Sequence, residues 1–230
     1  MGHLTPRLVF VLAGAAALAA ALVAASQLSA GENDRVATPQ PVAHRAFAGV
    51  PQSGLVLGRE DAPVTLVEYA DVQCPYCAEW ARRTLPTLVD EYVRAGKLRI
   101  VFHGLAFLGP DSVTALRATL AAGRQDRLWD VLDALYRSQG AENSGWVSDE
   151  LVDGIASSVA GLDVDRLRAD MSGAWFERAS VEAAAAARAA GVTGTPTFQV
   201  GPTGGTLELV RLESLGPEGL RPSIDALLAR

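Results

Sequence analysis

The chain has 230 residues, 49% of them hydrophobic, and a formal net charge of −6 from 20 Lys and Arg against 26 Asp and Glu. That apolar content excludes a disordered chain, and the acidic balance argues against a nucleic-acid binder, whose folded part carries a basic excess. Two cysteines exclude a multi-disulfide scaffold, and the length suits one domain with an appendage.

In chain order, Arg7 is followed by Leu8–Ala25, an uncharged apolar run of 18 residues, half of them alanine. It is longer than a signal-peptide core of about 7–15 residues and just short of the ~20 that span a bilayer comfortably. Residues 1–25 are therefore expected to be a signal anchor or a cleaved leader, with a buried core helix as the third reading. Either of the first two exports the rest of the chain. It then stands on the outer face of the cytoplasmic membrane or, if the leader is cut at the small residues Ala24-Ala25-Ser26, is secreted or periplasmic. Residues 26–54 are polar and interrupted by Pro39, Pro41 and Pro51, as a flexible tether would be. Residues 1–50 carry +1 and the remainder −7, so the expected domain, 55–230, gains nothing from an anionic lipid surface or a phosphate backbone.

Leu55–Leu57 reads as a short edge strand and Val64–Ala70 as a buried strand. Pro75 suits the first position of a helix, expected to run to about Ala95, kink at Pro86 and stop at Gly96. Leu98–Phe102 is the next strand, so the unit is strand, helix, parallel strand. From about 111 to 173 the pattern turns helical, with segments at 111–122, 127–139, 149–159 and 163–171. A longer helix follows at 175–190, then a hairpin of 197–200 with 206–212, and a closing helix at 217–228. The skeleton is α/β: a small mixed sheet with helices on both faces and an inserted helical block.

The two cysteines stand three apart, in Cys74-Pro75-Tyr76-Cys77, between an expected strand and an expected helix. At a helix start, amide N–H groups lack partners and the dipole favours negative charge, so the Cys74 thiolate is stabilised and its pKa falls. Cys77, one turn on, faces inward and is placed to attack a mixed disulfide on Cys74. A structural disulfide would close almost no loop and add little stability. Zinc needs four ligands, which His103 cannot complete, so no metal and no cofactor are expected. His103 reads as a structural or groove-lining residue. Glu68 sits in the apolar strand. Buried there it would have a raised pKa and could exchange protons with Cys77; turned to solvent it would not. Thr195-Pro196, just before the hairpin, suits a cis bond that presents the Thr195 backbone to an extended peptide, or an ordinary trans proline at a strand start.

Glu68-Tyr-Ala-Asp-Val-Gln-Cys-Pro-Tyr-Cys77 together with Thr195-Pro196 resembles the DsbA-like thiol–disulfide oxidoreductases, in their exported and often membrane-anchored bacterial branch. The stretch Ser112–Gln139, with Leu128-Trp129 and Leu135-Tyr136, is similar to that branch's helical insertion. The resemblance covers about residues 55–230 and implies a thioredoxin-like fold with an inserted helical domain. It implies Cys74 as attacking thiol, Cys77 as resolving thiol and Pro196 as a cis-proline, with Pro75, Tyr76 and Thr195 against the substrate. It implies clients that are exported proteins with free thiols, and a membrane partner that restores the disulfide. Many members carry a histidine between the cysteines, where this chain has Pro75-Tyr76; that lowers the expected oxidising power. The expected reaction is oxidation of client cysteine pairs. The alternatives are a reductase or isomerase of the same fold, or a non-catalytic peptide-binding chaperone.

Overall fold

The computed structural model describes residues 47–230. The expected leader and most of the expected tether lie outside the described residues. The last part of the tether does not: Phe47 and Val50 are buried, and Gln52–Ser53 forms a first strand, β1. Pairing explains this otherwise polar stretch. β1 lies antiparallel to β2, Val56–Leu57, and the Gln52 carboxamide donates to Asp130 Oδ2 and accepts from the Trp129 N–H.

The remaining strands are β3 (Val64–Asp71), β4 (Leu98–Leu105), β5 (Thr197–Pro202) and β6 (Glu208–Val210). The sheet order is β1-β2-β4-β3-β5-β6. β3 and β4 are parallel, with Glu68 opposite Phe102, while β5 runs antiparallel to β3, with Phe198 opposite Glu68. The hairpin is shorter than expected, because β6 covers only part of 206–212.

Between β3 and β4 the expected single kinked helix is three pieces: α1 (Pro75–Arg83), α2 (Leu85–Leu88) and a π-helical turn over Val89–Val93. Pro86 has no N–H to continue the ladder. Thr84, at the break, turns its hydroxyl to the Leu215 carbonyl. The inserted block is α3 (Pro110–Gly123), α4 (Leu128–Arg137), α5 (Asp149–Ser158) and α6 (Val164–Met171). Ser148 and Asp163 cap α5 and α6, each side chain accepting a backbone N–H three residues on. Arg168 bridges the two helices through Asp149 and Asp153. The chain then returns through α7 (Trp175–Ala189) and the β5–β6 hairpin to a single 3-10 turn and α8 (Arg221–Leu228).

The two sides of the sheet are packed differently. β4 alternates strictly, Leu98, Ile100, Phe102 and Gly104 buried and the residues between them half-buried. The buried side faces α1, α3, α4 and α8 and holds the main core, where Trp80 stacks on Phe198 with ring centres 4.8 Å apart. Gly104 is needed there, since any Cβ would collide with Leu116 of α3 and the Phe102 ring. The other side carries Val67, Tyr69, Val101 and Leu105 against α7, with Ala187 as the helix's buried contact.

Among the described residues, no helix is long and apolar enough to cross a membrane.

Candidate active site

Cys74 is the N-cap of α1, with φ −67° and ψ 120°, and Pro75 is the first helical residue. The extended backbone at the cap follows from β3 ending one turn earlier: the Cys74 N–H donates to the Asp71 carbonyl, and the Cys74 carbonyl accepts the first helical bond from Ala78. Both cysteines are free thiols. Pro75 and Tyr76 are exposed, Tyr76 by 60%, while Cys77 lies fully buried one turn into the helix.

The two thiols are electrostatically unequal. The Cys74 pKa is lowered to about 6. The hydrogen bond from Cys77 is the largest cause; the Thr195 side chain and the backbone N–H groups of Cys77 and Tyr76 add to it, and burial opposes them. The Cys77 pKa is pushed well above the thiol range, first by burial, then by its bond to Cys74 and by the charges of Cys74 and Glu68. One sulfur is therefore largely thiolate at neutral pH and the other stays protonated, beside it on the same helix end.

Thr195 and Pro196 are joined by a cis bond, and the Thr195 carbonyl accepts from Cys74 Sγ at 3.3 Å. That carbonyl favours the thiol form, against the donors named above. The segment before β5 thus lies directly against the reactive sulfur.

Glu68 is fully buried on the α1 side of the sheet; neither carboxylate oxygen has a hydrogen-bond partner. Burial first, then the charge of Cys74, raises its pKa to about 8. Of the two orientations open in the sequence, the interior one holds. His103 lies on the opposite face, edge-on to the Tyr69 ring with centres 5.1 Å apart, and burial lowers its pKa. Among the described residues no cluster of three or more His, Cys, Asp or Glu side chains is placed to hold a metal.

Sequence reasoning missed the residues that hold the loop before Cys74. Asp71 is fully buried; its Oδ1 accepts from the Gln73 N–H and the Ser112 hydroxyl, and its Oδ2 from the N–H groups of Phe107 and Leu108. Gln73 bonds to Ser112, to both the side chain and backbone of Asn143, and to Trp146 Nε1. Gln139 Nε2 donates to the carbonyls of Val72, at 2.8 Å, and Cys74, at 3.2 Å. The inserted block is therefore clamped onto the loop that seats the thiolate. Asp71, a carboxylate closing an apolar strand, was a readable signal; the amides of Gln139 and Asn143 sit in polar sequence that carries none. Tyr136 of α4 is also buried there, with an unpartnered hydroxyl; burial, then the charges of Cys77 and Glu68, raises its pKa.

A thioredoxin family model matches residues 51–208. A probable disulfide bond formation protein D of Bacillus anthracis is 35% identical over 118 residues, 50% of this chain and 54% of that protein. The chain thus spans about half the length of the curated relatives it matches first. The oxidised crystal structure of BdbD from Bacillus subtilis superposes with a TM-score of 0.67 at 22% identity, covering 79% of this chain and 98% of that one. A thioredoxin-like oxidoreductase from Silicibacter pomeroyi is 30% identical with a TM-score of 0.59, covering 76% of this chain and 92% of that one. With a family model over most of the described residues, the chain belongs to the thioredoxin family.

Proposed function

We propose that this chain is an exported thiol–disulfide oxidoreductase that oxidises cysteine pairs in other exported proteins. A membrane thiol-oxidising partner then restores its disulfide. The N-terminal apolar segment supports export, as an anchor to the outer face of the cytoplasmic membrane or as a cleaved leader. The observation that carries the reading is the inequality of the two thiols: Cys74 is held as an anion at the tip of α1 while buried Cys77 keeps its proton.

The chemistry follows from that inequality. In the oxidised protein a client thiolate attacks Cys74 Sγ, the Cys74–Cys77 bond breaks, and Cys77 leaves. Its high pKa demands a proton as it leaves, and we assign that proton to Glu68, a buried carboxyl protonated below about 8 whose charge acts on Cys77. The client's second thiolate then attacks the client sulfur of the mixed disulfide and expels Cys74, a good leaving group because its anion is stabilised. Two electrons pass from client to cysteine pair. Thr195 lines the approach to Cys74 with a backbone carbonyl, Pro196 fixes the segment behind it, and the exposed Pro75-Tyr76 face meets the client.

The Cys74 pKa sets the poise. A Cys74 thiolate stabilised below the free thiol value favours the reduced pair, and with it the oxidation of clients. Equilibration with glutathione measures this. A potential at or below about −270 mV overturns the oxidant assignment and leaves a reductase. Oxidative refolding of a reduced client tests the chemistry: Cys74→Ser abolishes turnover, whereas retained activity in that variant leaves only a peptide-binding chaperone.

A further inference from the structure

We propose that the groove beside Cys74 is a client subsite that selects an apolar residue followed by a carboxylate, near the client's reacting cysteine. The proposal rests on the oxidoreductase reading and names the substrate preference of that same site.

The groove has a volume of about 300 Å3 and lies between the loop after β4 and α7. It is closed at one end by Val192, Thr193 and Gly194, and the next residue is Thr195, whose carbonyl touches Cys74 Sγ. The groove therefore begins one residue from the carbonyl that touches the reacting sulfur, within reach of a client whose cysteine has arrived at Cys74. In an extended segment, side chains two residues apart share a face and stand about 7 Å apart, so a residue two positions from the cysteine is the one that reaches it.

Two observations define what fits. The first is Phe107, 57% exposed on the groove wall. Its backbone is anchored: its own N–H and that of Leu108 are held by the Asp71 carboxylate, and Asp71 also supplies the carbonyl that fixes the Cys74 N–H. An exposed aromatic on an anchored loop, lining the groove together with the small side chains of Ala184 and Ala187, is a surface for an apolar partner.

The second is Arg188, the only charged residue among the described residues that line the groove. It is exposed, and its side chain forms no ion pair or hydrogen bond with the described residues, whereas Arg117, Arg124 and Arg168 are paired. The chain from residue 51 carries −7, so its general field favours a cation. Within about 8 Å, a Debye length at physiological salt, the unpaired guanidinium reverses that preference locally. A carboxylate beyond the apolar residue meets it, and a lysine there is repelled.

The test uses the full chain and dithiol peptides carrying Leu or Gly two positions to either side of the reacting cysteine and Asp or Lys beyond it, so chain direction does not matter. The readout is the ratio of kcat/KM values within a peptide pair, in which any general loss of activity divides out. The wild type favours the Asp peptide over the Lys peptide about fivefold, Arg188→Glu inverts the order, and Phe107→Ser lowers the ratio of Leu to Gly peptides about tenfold. Oxidation of both peptides with a preference that Arg188→Glu does not move, or a Leu-to-Gly ratio that Phe107→Ser does not move, overturns the subsite and leaves the redox reading standing. No oxidation of any peptide by the wild type overturns both.

Discussion

The two faces of one sheet carry opposite kinds of packing in this molecule. On the α1 side, Trp80, Phe102 and Phe198 are fully buried around Glu68 and Cys77. On the α7 side, a helix with alanine at 183–187 lies over buried Val67 and Tyr69 and half-buried Val101 and Leu105. It leaves a groove of about 300 Å3 along one flank and a cavity of about 490 Å3 along the other, the latter lined by His103, Trp175 and Ala183 among others. Alanine brings the helix close to the sheet but cannot fill the space beside it. The lesson is a division of labour: the dense face holds charges and protons where they are costly, and the sparse face keeps open surface for something to enter.

That contrast can be broken most severely at Trp80. Trp80→Ala deletes the ring stacked on Phe198 and is expected to cost about 3–5 kcal/mol in unfolding free energy, measured by urea titration. A cost below about 1 kcal/mol means the face is not densely packed.

Glu68→Gln sharpens the comparison through pH. A carboxyl whose folded pKa is about 8 contributes stability fully below its unfolded value near 4.5, and that contribution is lost as pH rises toward 8. The wild type is therefore penalised at high pH, and the variant gains relative to it between about pH 4.5 and 8. The gain levels off above that at on the order of 5 kcal/mol, about 1.4 kcal/mol for each unit between 4.5 and 8. Parallel stability profiles for the two proteins between pH 4 and 9 would remove the buried charge from the account.

The smallest effect is expected on the sparse face. Ala183→Leu adds side chain to the 490 Å3 cavity and should change stability by about 1 kcal/mol or less, in the stabilising direction, by the same urea titration. A loss of more than about 2 kcal/mol would show that α7 is as tightly packed as α1.

Much of the site was legible because its signals are local. The spacing of the cysteines, Pro75 directly after the first of them and the β-branched strand before them place Cys74 at the start of α1, whereas the strand pattern left Glu68 open to either face. Pro86 announced a break, though not the π-helical turn after it. What escaped was nonlocal. Gln52–Ser53 looks like tether until β2 offers it a ladder and Asp130 takes its carboxamide. Gln139 and Asn143 look like loop polarity until Gln73 and the carbonyls of Val72 and Cys74 meet them.

The sequence by itself determined the order of strands and helices and the seat of the first thiol, since periodicity, proline and the unpaired amides of a helix tip act over a few residues. Only the tertiary structure decided that Cys77 and Glu68 would be sealed from water. It alone brought amides of the inserted block to the loop before Cys74, and it alone left Arg188 unpaired beside a groove. Desolvation and hydrogen-bond partnership depend on what distant segments bring to a point, and no local pattern records that.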